Sequence, residues 1–222
     1  MVATKATTGV IADDAIGVSQ IADDAVGLSQ LSATGTASSC TFLRGDNSWA
    51  EAGGGSLNYV NSVTLDGSTE GAFTGLTTYD TYFFRYEGLV GSASANDRIV
   101  MSDDNGSSYE SSGYAWSGVS YPSNGSLSNP YSRSTHSIDL SYTYAGSTYR
   151  AGWLYLHRKG KSATGAVVNF QNWGLEDASG YETGRVGGGM LDTGTIVNAI
   201  KFYRSAGNYS AGKIYVYGLS NS

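Results

Sequence analysis

Three sets of residues carry side chains suited to chemistry. Asp103, Asp104, Asn105 and Gly106 are consecutive and offer the oxygen donors that hard cations take. Their spacing departs from the EF-hand loop, however, and Asp-Asp-Asn-Gly is a strong hairpin-turn signal, so the run reads as a turn ahead of a metal site. Glu176, Asp177 and Glu182 lie in one polar stretch and supply the carboxylate types a glycosidase places on either side of a scissile bond. Solvated loop acids are the plainer reading. His136 and His157 have no carboxylate or Cys partner at metal-ligand spacing and read as strand or loop residues. A GxSxG elbow, an HExxH helix and a phosphate-cradling glycine loop are all missing from the sequence. The chain is therefore read as a non-enzyme that needs no metal or cofactor.

Binding chemistry is better represented. Trp116, Tyr121, Tyr131, Trp173 and Tyr181 sit in or beside Gly/Ser/Asn-rich stretches. Aromatic rings there have less reason to be core, and loops commonly carry function. Sugar rings present apolar C–H faces that stack on such side chains, while their hydroxyls need polar groups at the rim. These five positions are the candidate glycan contacts; the competing reading is packing at strand ends or between subunits.

The elements that must position them are strands. Gly (31 residues), Ser, Thr and 17 Tyr dominate a chain of 222 with only 2 Pro, a balance suited to short strands and polar turns. Apolar period-two alternation predicts strands at 59–65, 81–87, 98–102, 109–117, 137–144, 152–158, 166–171, 182–188, 196–204 and 212–217. In the sixth, Leu154 and Leu156 share one face while Trp153, Tyr155 and His157 share the other. Ile214 and Val216 alternate in the same way with Tyr215 and Tyr217. Strands with bulk on both faces suit a sheet whose inner face meets a second sheet and whose outer face meets a subunit or a flat ligand. No capped run of helical period stands out. The fold expected is all-β, a jelly-roll-like β-sandwich head over 56–222, preceded by a Gly/Ser-rich neck at 35–55 with Gly53, Gly54 and Gly55 at the boundary.

Residues 1–34 are different. IADDAIGVSQ is followed by IADDAVGLSQ, and Leu31 opens a third copy. The apolar positions Ile11, Ile16, Val18, Ile21, Val26, Leu28 and Leu31 are too few to make a core in one chain, and short-period repeats bury their apolar face against neighbours. Other copies of the same chain are the expected neighbours, giving an intertwined trimeric stem with Asp13, Asp14, Asp23 and Asp24 toward water. Each buried Val, Leu or Ile contributes roughly 1.5–3 kcal/mol before entropy is subtracted. Cys40 is the single cysteine, so no intrachain disulfide staples the fold. A net charge of −6 without a basic patch argues against nucleic acid as partner, and Arg158, Lys159 and Lys161 read as a solvated loop. No apolar stretch approaches the roughly 18 residues of a membrane span, and MVATKATTG lacks the apolar core of a secretory signal, so synthesis in the cytoplasm without membrane insertion is expected.

The repeat followed by GTASSCTFLRGDNSWAEAGGG resembles the stems and necks of tailed-bacteriophage fibre proteins, in which AV-containing decapeptides lead into a "TFLRGDGTW"-like block. RIVMSDDNGSSYESSGYAW is similar to the "SDGG" turn and following strand of phage adhesin or lectin-like modules, and IVNAIKFYRSAGNYSAGKIYVYGL to their closing hairpin. The resemblance implies a homotrimeric fibre or spike subunit on the virion surface, with the stem toward other virion proteins and the C-terminal domain facing host surface polysaccharide. The repeat begins almost at Met1 without the long adaptor of tail fibres, which keeps a capsid-mounted fibre or decoration protein open beside the tail fibre. A polysaccharide depolymerase is a more distant alternative. Changing Ile16 and Val26 together to Asp is expected to leave a folded but monomeric head, read by sedimentation; an intact trimer would contradict this account of the stem.

Overall fold

The computed structural model describes residues 32–39, 41–51, 57–123, 125–143, 149–158, 165–175 and 182–220. All the stem positions named above, and Cys40, lie outside them. The chain divides between Gly54 and Gly55 into two units. In the first, β1 (Thr41–Leu43) and β2 (Trp49–Glu51) pair antiparallel. The Arg-Gly-Asp-Asn-Ser turn between them follows from its residues: Asp46 Oδ1 accepts from the Ser48 amide at 3.1 Å and the Ser48 hydroxyl at 2.6 Å. Asn47 takes a left-handed φ of 61°, which Asn tolerates better than most side chains.

The second unit holds β3 (Leu57–Thr64), β4 (Glu70–Phe73), β5 (Thr81–Gly91), β6 (Ala95–Ser102), β7 (Tyr114–Pro122), β8 (Tyr131–Thr135), β9 (Ile138–Thr143), β10 (Arg150–His157), β11 (Val167–Leu175), β12 (Glu182–Leu191), β13 (Ala199–Arg204) and β14 (Tyr209–Leu219). They form an eight-stranded sheet ordered β3-β14-β5-β10-β11-β12-β7-β8 and a four-stranded sheet ordered β4-β13-β6-β9, every pair antiparallel. The protein is all-β, and the two sheets of this unit pack face to face. The small sheet and the β3-β14-β5-β10 part of the large one share a single arrangement: first strand, last strand, second, third. The other four strands of the large sheet enter the chain as two insertions, β7-β8 and β11-β12.

Alternation builds the core. Tyr82, Phe84 and Tyr86 of β5, Leu154 and Leu156 of β10, and Ile214 and Val216 of β14 are buried on the inner face of the large sheet. Ile99, Met101, Ile200, Phe202 and Phe73 meet them from the small one. Phe84 packs between Phe73 and Phe202 with centroids 5.4 and 5.5 Å away, edge-on to the first and tilted to the second.

One buried polar cluster interrupts this apolar layer. Asp97 Oδ1 on β6 accepts from Arg204 Nη1 at 2.8 Å and Oδ2 accepts from the Ser141 hydroxyl at 3.1 Å, while Arg150 Nε of β10 lies 3.8 Å from Oδ2. Arg150 Nη1 donates to Asn172 Oδ1 of β11 at 3.0 Å, and Asn172 Nδ2 donates onward to the Leu140 carbonyl of β9 at 2.9 Å. Burial pushes the Asp97 carboxyl up from its ordinary range, and the guanidiniums of Arg150 and Arg204 oppose that push.

The alternation reads the strand cores but not all their ends. The strand expected from Tyr109 begins at Tyr114, because Gly113 has a φ of 83° and breaks the extended run. The Asp-Asp-Asn-Gly run is a turn but not a hairpin: it leaves β6 of one sheet for β7 of the other. Arg158 is a correction as well. It is 4% exposed, donating Nε to the Val197 carbonyl at 2.7 Å and Nη1 to the Tyr79 carbonyl at 2.8 Å, because those carbonyls beyond the strand ends need donors. Lys159 and Lys161 lie outside the described residues. Replacing Asp97 by Ala strands two guanidiniums in the core and is expected to cost about 3–5 kcal/mol of unfolding free energy in urea titration; an unchanged midpoint would show that the cluster does not bind the sheets.

Candidate functional site

The outer face of the eight-stranded sheet is where side chains that the core does not need collect. On β3, β14, β5 and β10 the register sets Tyr59, Tyr217, Phe83 and Tyr155 in one row across the strands. Adjacent ring centroids are 5.8, 6.1 and 4.9 Å apart. Trp153 packs edge-on to Tyr155 at 5.5 Å, and His157 stacks on its other side at 6.4 Å. A charged row runs alongside: Lys213 lies 4.8 Å above the Tyr215 ring, the Tyr215 hydroxyl donates to Glu87 at 3.1 Å, and Arg85 pairs with Glu87. This band is the outer face that the alternation in 152–158 and 212–217 predicts.

The inserted strands β11, β12, β7 and β8 shape the rest of that face differently. Here β12 reads Gly-Arg-Val-Gly-Gly-Gly-Met, and its outward positions at Gly184 and Gly188 are empty of side chain. Gly188 pairs with Ser117 of β7, and Ser117 pairs with Tyr131 of the edge strand β8. Small residues flanked by Tyr131, Arg133, Val167 and Met190 leave a groove of about 460 Å³. A β-carbon at Gly188 would come within 3.0 Å of the Val168 carbonyl and 3.3 Å of Asn169 Nδ2, so the floor is backbone with an amide at its margin. The volume falls in the range of small-molecule sites.

Four strand residues along from that floor, roughly 14 Å away, Trp173 pairs with Gly184, and Gly184 with Tyr121. A β-carbon at Gly184 would run into the Trp173 ring, so the indole lies across the glycine. Trp173 is 50% exposed, Tyr121 43% and Tyr131 74%. Four of the five sequence-derived glycan positions thus fall on these inserted strands, but not as one cluster. Tyr131 walls the groove, and Tyr121 and Trp173 form a separate aromatic row. Trp116 shares the inward side of β7 with Tyr114 and packs against the core, reaching the groove only along its strand. Tyr181 lies outside the described residues.

The other candidates separate on geometry. Asp104 is an internal cap: Oδ1 accepts from the Ser108 amide at 2.9 Å and the Ser102 hydroxyl at 2.7 Å, and Oδ2 from the Ser108 hydroxyl at 2.7 Å. Those bonds from Ser108 and Ser102 lower its pKa to about 2. Since the folded value is depressed, the contribution is present above the ordinary 3.8 and lost as pH falls through about 2. Asn105 and Gly106, at φ of 63° and 83°, complete the turn. Among the described residues no group of three or more His, Cys, Asp or Glu is placed to hold a metal ion. His157 Nδ1 meets the Thr81 hydroxyl at 3.1 Å, and His136 Nε2 lies 3.4 Å from Arg98 Nη1. Glu182 is exposed at the start of β12, while Glu176 and Asp177 lie outside the described residues.

Arg133, Met190 and Gly188 are groove residues that no local motif marks. They meet because β7 pairs with β12 across some seventy residues of sequence, and only the glycine run in β12 hints at an open floor. Comparison with known protein families, characterised proteins and solved structures finds no match to this chain.

Proposed function

We propose that this chain is a virion fibre subunit of a tailed phage, homotrimeric through its N-terminal repeat, with a jelly-roll-like head that binds a host cell-surface glycan. The observation that carries the binding role is the glycine-floored groove walled by Tyr131 and Met190, an open apolar trough with serine hydroxyls at its margins. Such a trough suits a sugar ring, which needs an apolar face and hydrogen-bonding groups together. The strand order supports the head assignment. Two four-strand sets, each arranged first, last, second, third and lying in facing sheets, are the pattern of two Greek keys rolled together. The decapeptide repeat and the Thr-Phe-Leu-Arg-Gly-Asp-Asn-Ser-Trp neck support the fibre assignment and a location on the virion surface, joined to other virion proteins through the stem. Three heads on one stem turn a weak single site into useful avidity on a dense cell-surface polymer.

A second reading, a capsid-mounted decoration subunit with no receptor role, draws on the aromatic band of β3, β14, β5 and β10. A flat face of rings suits packing between neighbouring subunits as well as it suits a ligand. The readings separate by cell binding. Labelled full-length protein is expected to be retained on cells of the host that the particle infects and displaced by that host's surface polysaccharide, with Tyr131→Ala reducing retention severalfold. Absence of retention by a folded trimer would favour the decoration role, and release of reducing ends from the polysaccharide would favour an enzyme.

A further inference from the structure

We infer that the groove between β8 and β12 takes an anionic saccharide, with Arg133 holding its carboxylate or phosphate group; this deepens the glycan reading and rests on it. Among the described residues Arg133 is the one charged residue lining the groove. Every other arginine of the chain is already engaged. Arg44, Arg85 and Arg98 pair with Asp46, Glu87 and Asp139. Arg150 and Arg204 share Asp97, Arg158 holds backbone carbonyls, and Arg185 donates to Ser120. Arg133 is exposed on the edge strand β8, with no acid among the described residues that line the groove. In a chain of net charge −6 such a guanidinium marks the place where an anion is accepted rather than repelled.

The spacing fits. Tyr131 and Arg133 both line the groove and are two residues apart on β8, a spacing of roughly 7 Å between α-carbons in extended chain. A sugar ring against Tyr131 and Met190 therefore carries a ring substituent toward the guanidinium, whose planar fork matches carboxylate and phosphate oxygens. Ser117 and Ser132 remain for the ring hydroxyls.

The test uses the full-length protein and host surface polysaccharide immobilised in three forms: native, carboxyl-reduced and dephosphorylated. Native polymer is expected to bind, and one neutralised form to bind about tenfold more weakly or worse. Which form loses binding tells a uronate from a sugar phosphate. Arg133→Gln is expected to lose the same factor on native polymer and nothing further on the neutralised one, while Tyr131→Ala weakens binding to all three. Equal binding of all forms, indifferent to Arg133→Gln, would overturn the anionic ligand and leave the glycan reading standing. No binding to any form by a folded trimer would overturn both.

Discussion

A single carboxylate set between two buried guanidiniums is the constraint on which the rest of the head depends. Asp97 is hydrogen-bonded by Arg204 of its own four-stranded sheet at 2.8 Å, and Arg150 of the eight-stranded sheet reaches it at 3.8 Å, so placing the buried Arg150 charge beside its carboxylate requires both sheets in register. The chain of bonds continues through Asn172 to the Leu140 carbonyl, fixing β11 against β9. Apolar packing alone would tolerate sliding between the sheets; a buried charge network tolerates little, because each displaced partner leaves an uncompensated ion.

With the inner face committed in this way, the outer face of the large sheet is free to vary. Its two parts use that freedom differently. On β3, β14, β5 and β10 one row of rings, Tyr59, Tyr217, Phe83 and Tyr155, crosses the strands beside a charged row of Lys213, Glu87 and Arg85. On β12 and β7 the outward Gly188 and Ser117 stand between Tyr131 and Met190, and there the sheet opens into a groove. A twisted sheet with side chains on one face and bare backbone on the next is a rigid platform for a flat, polar ligand, and the strands rather than the loops hold its walls. That geometry is the basis of the proposed receptor role and sets it apart from recognition by mobile loops.

Much of the fold is legible in the sequence because strand alternation is a local signal. Leu154 and Leu156 against Trp153 and Tyr155, and Ile214 and Val216 against Tyr215 and Tyr217, declare their faces without reference to any partner. Short strands do not. Glu70–Phe73 offers four residues with a glycine among them, and Tyr131–Thr135 is rich in serine, so both exist through pairing rather than propensity. Arg158 looks like a solvated charge in its basic run, and only the placement of the Tyr79 and Val197 carbonyls gives it a buried role. The site follows the same division. Tyr121, Tyr131 and Trp173 stand out by composition, whereas Trp116 is half-buried against the core on the face opposite Ser117. Arg133, Gly188 and Met190 acquire meaning only from the pairing of β7 with β12 and β8.

The proposed glycan-binding role places the ligand in the groove on the inserted strands. Amide hydrogen exchange of the full-length protein, with and without the host's surface polysaccharide, tests it most directly. The account predicts added protection confined to residues 115–117, 131–133 and 188–190. Protection centred instead on the Asp104 turn or the neck hairpin, with these three segments unchanged, would contradict it.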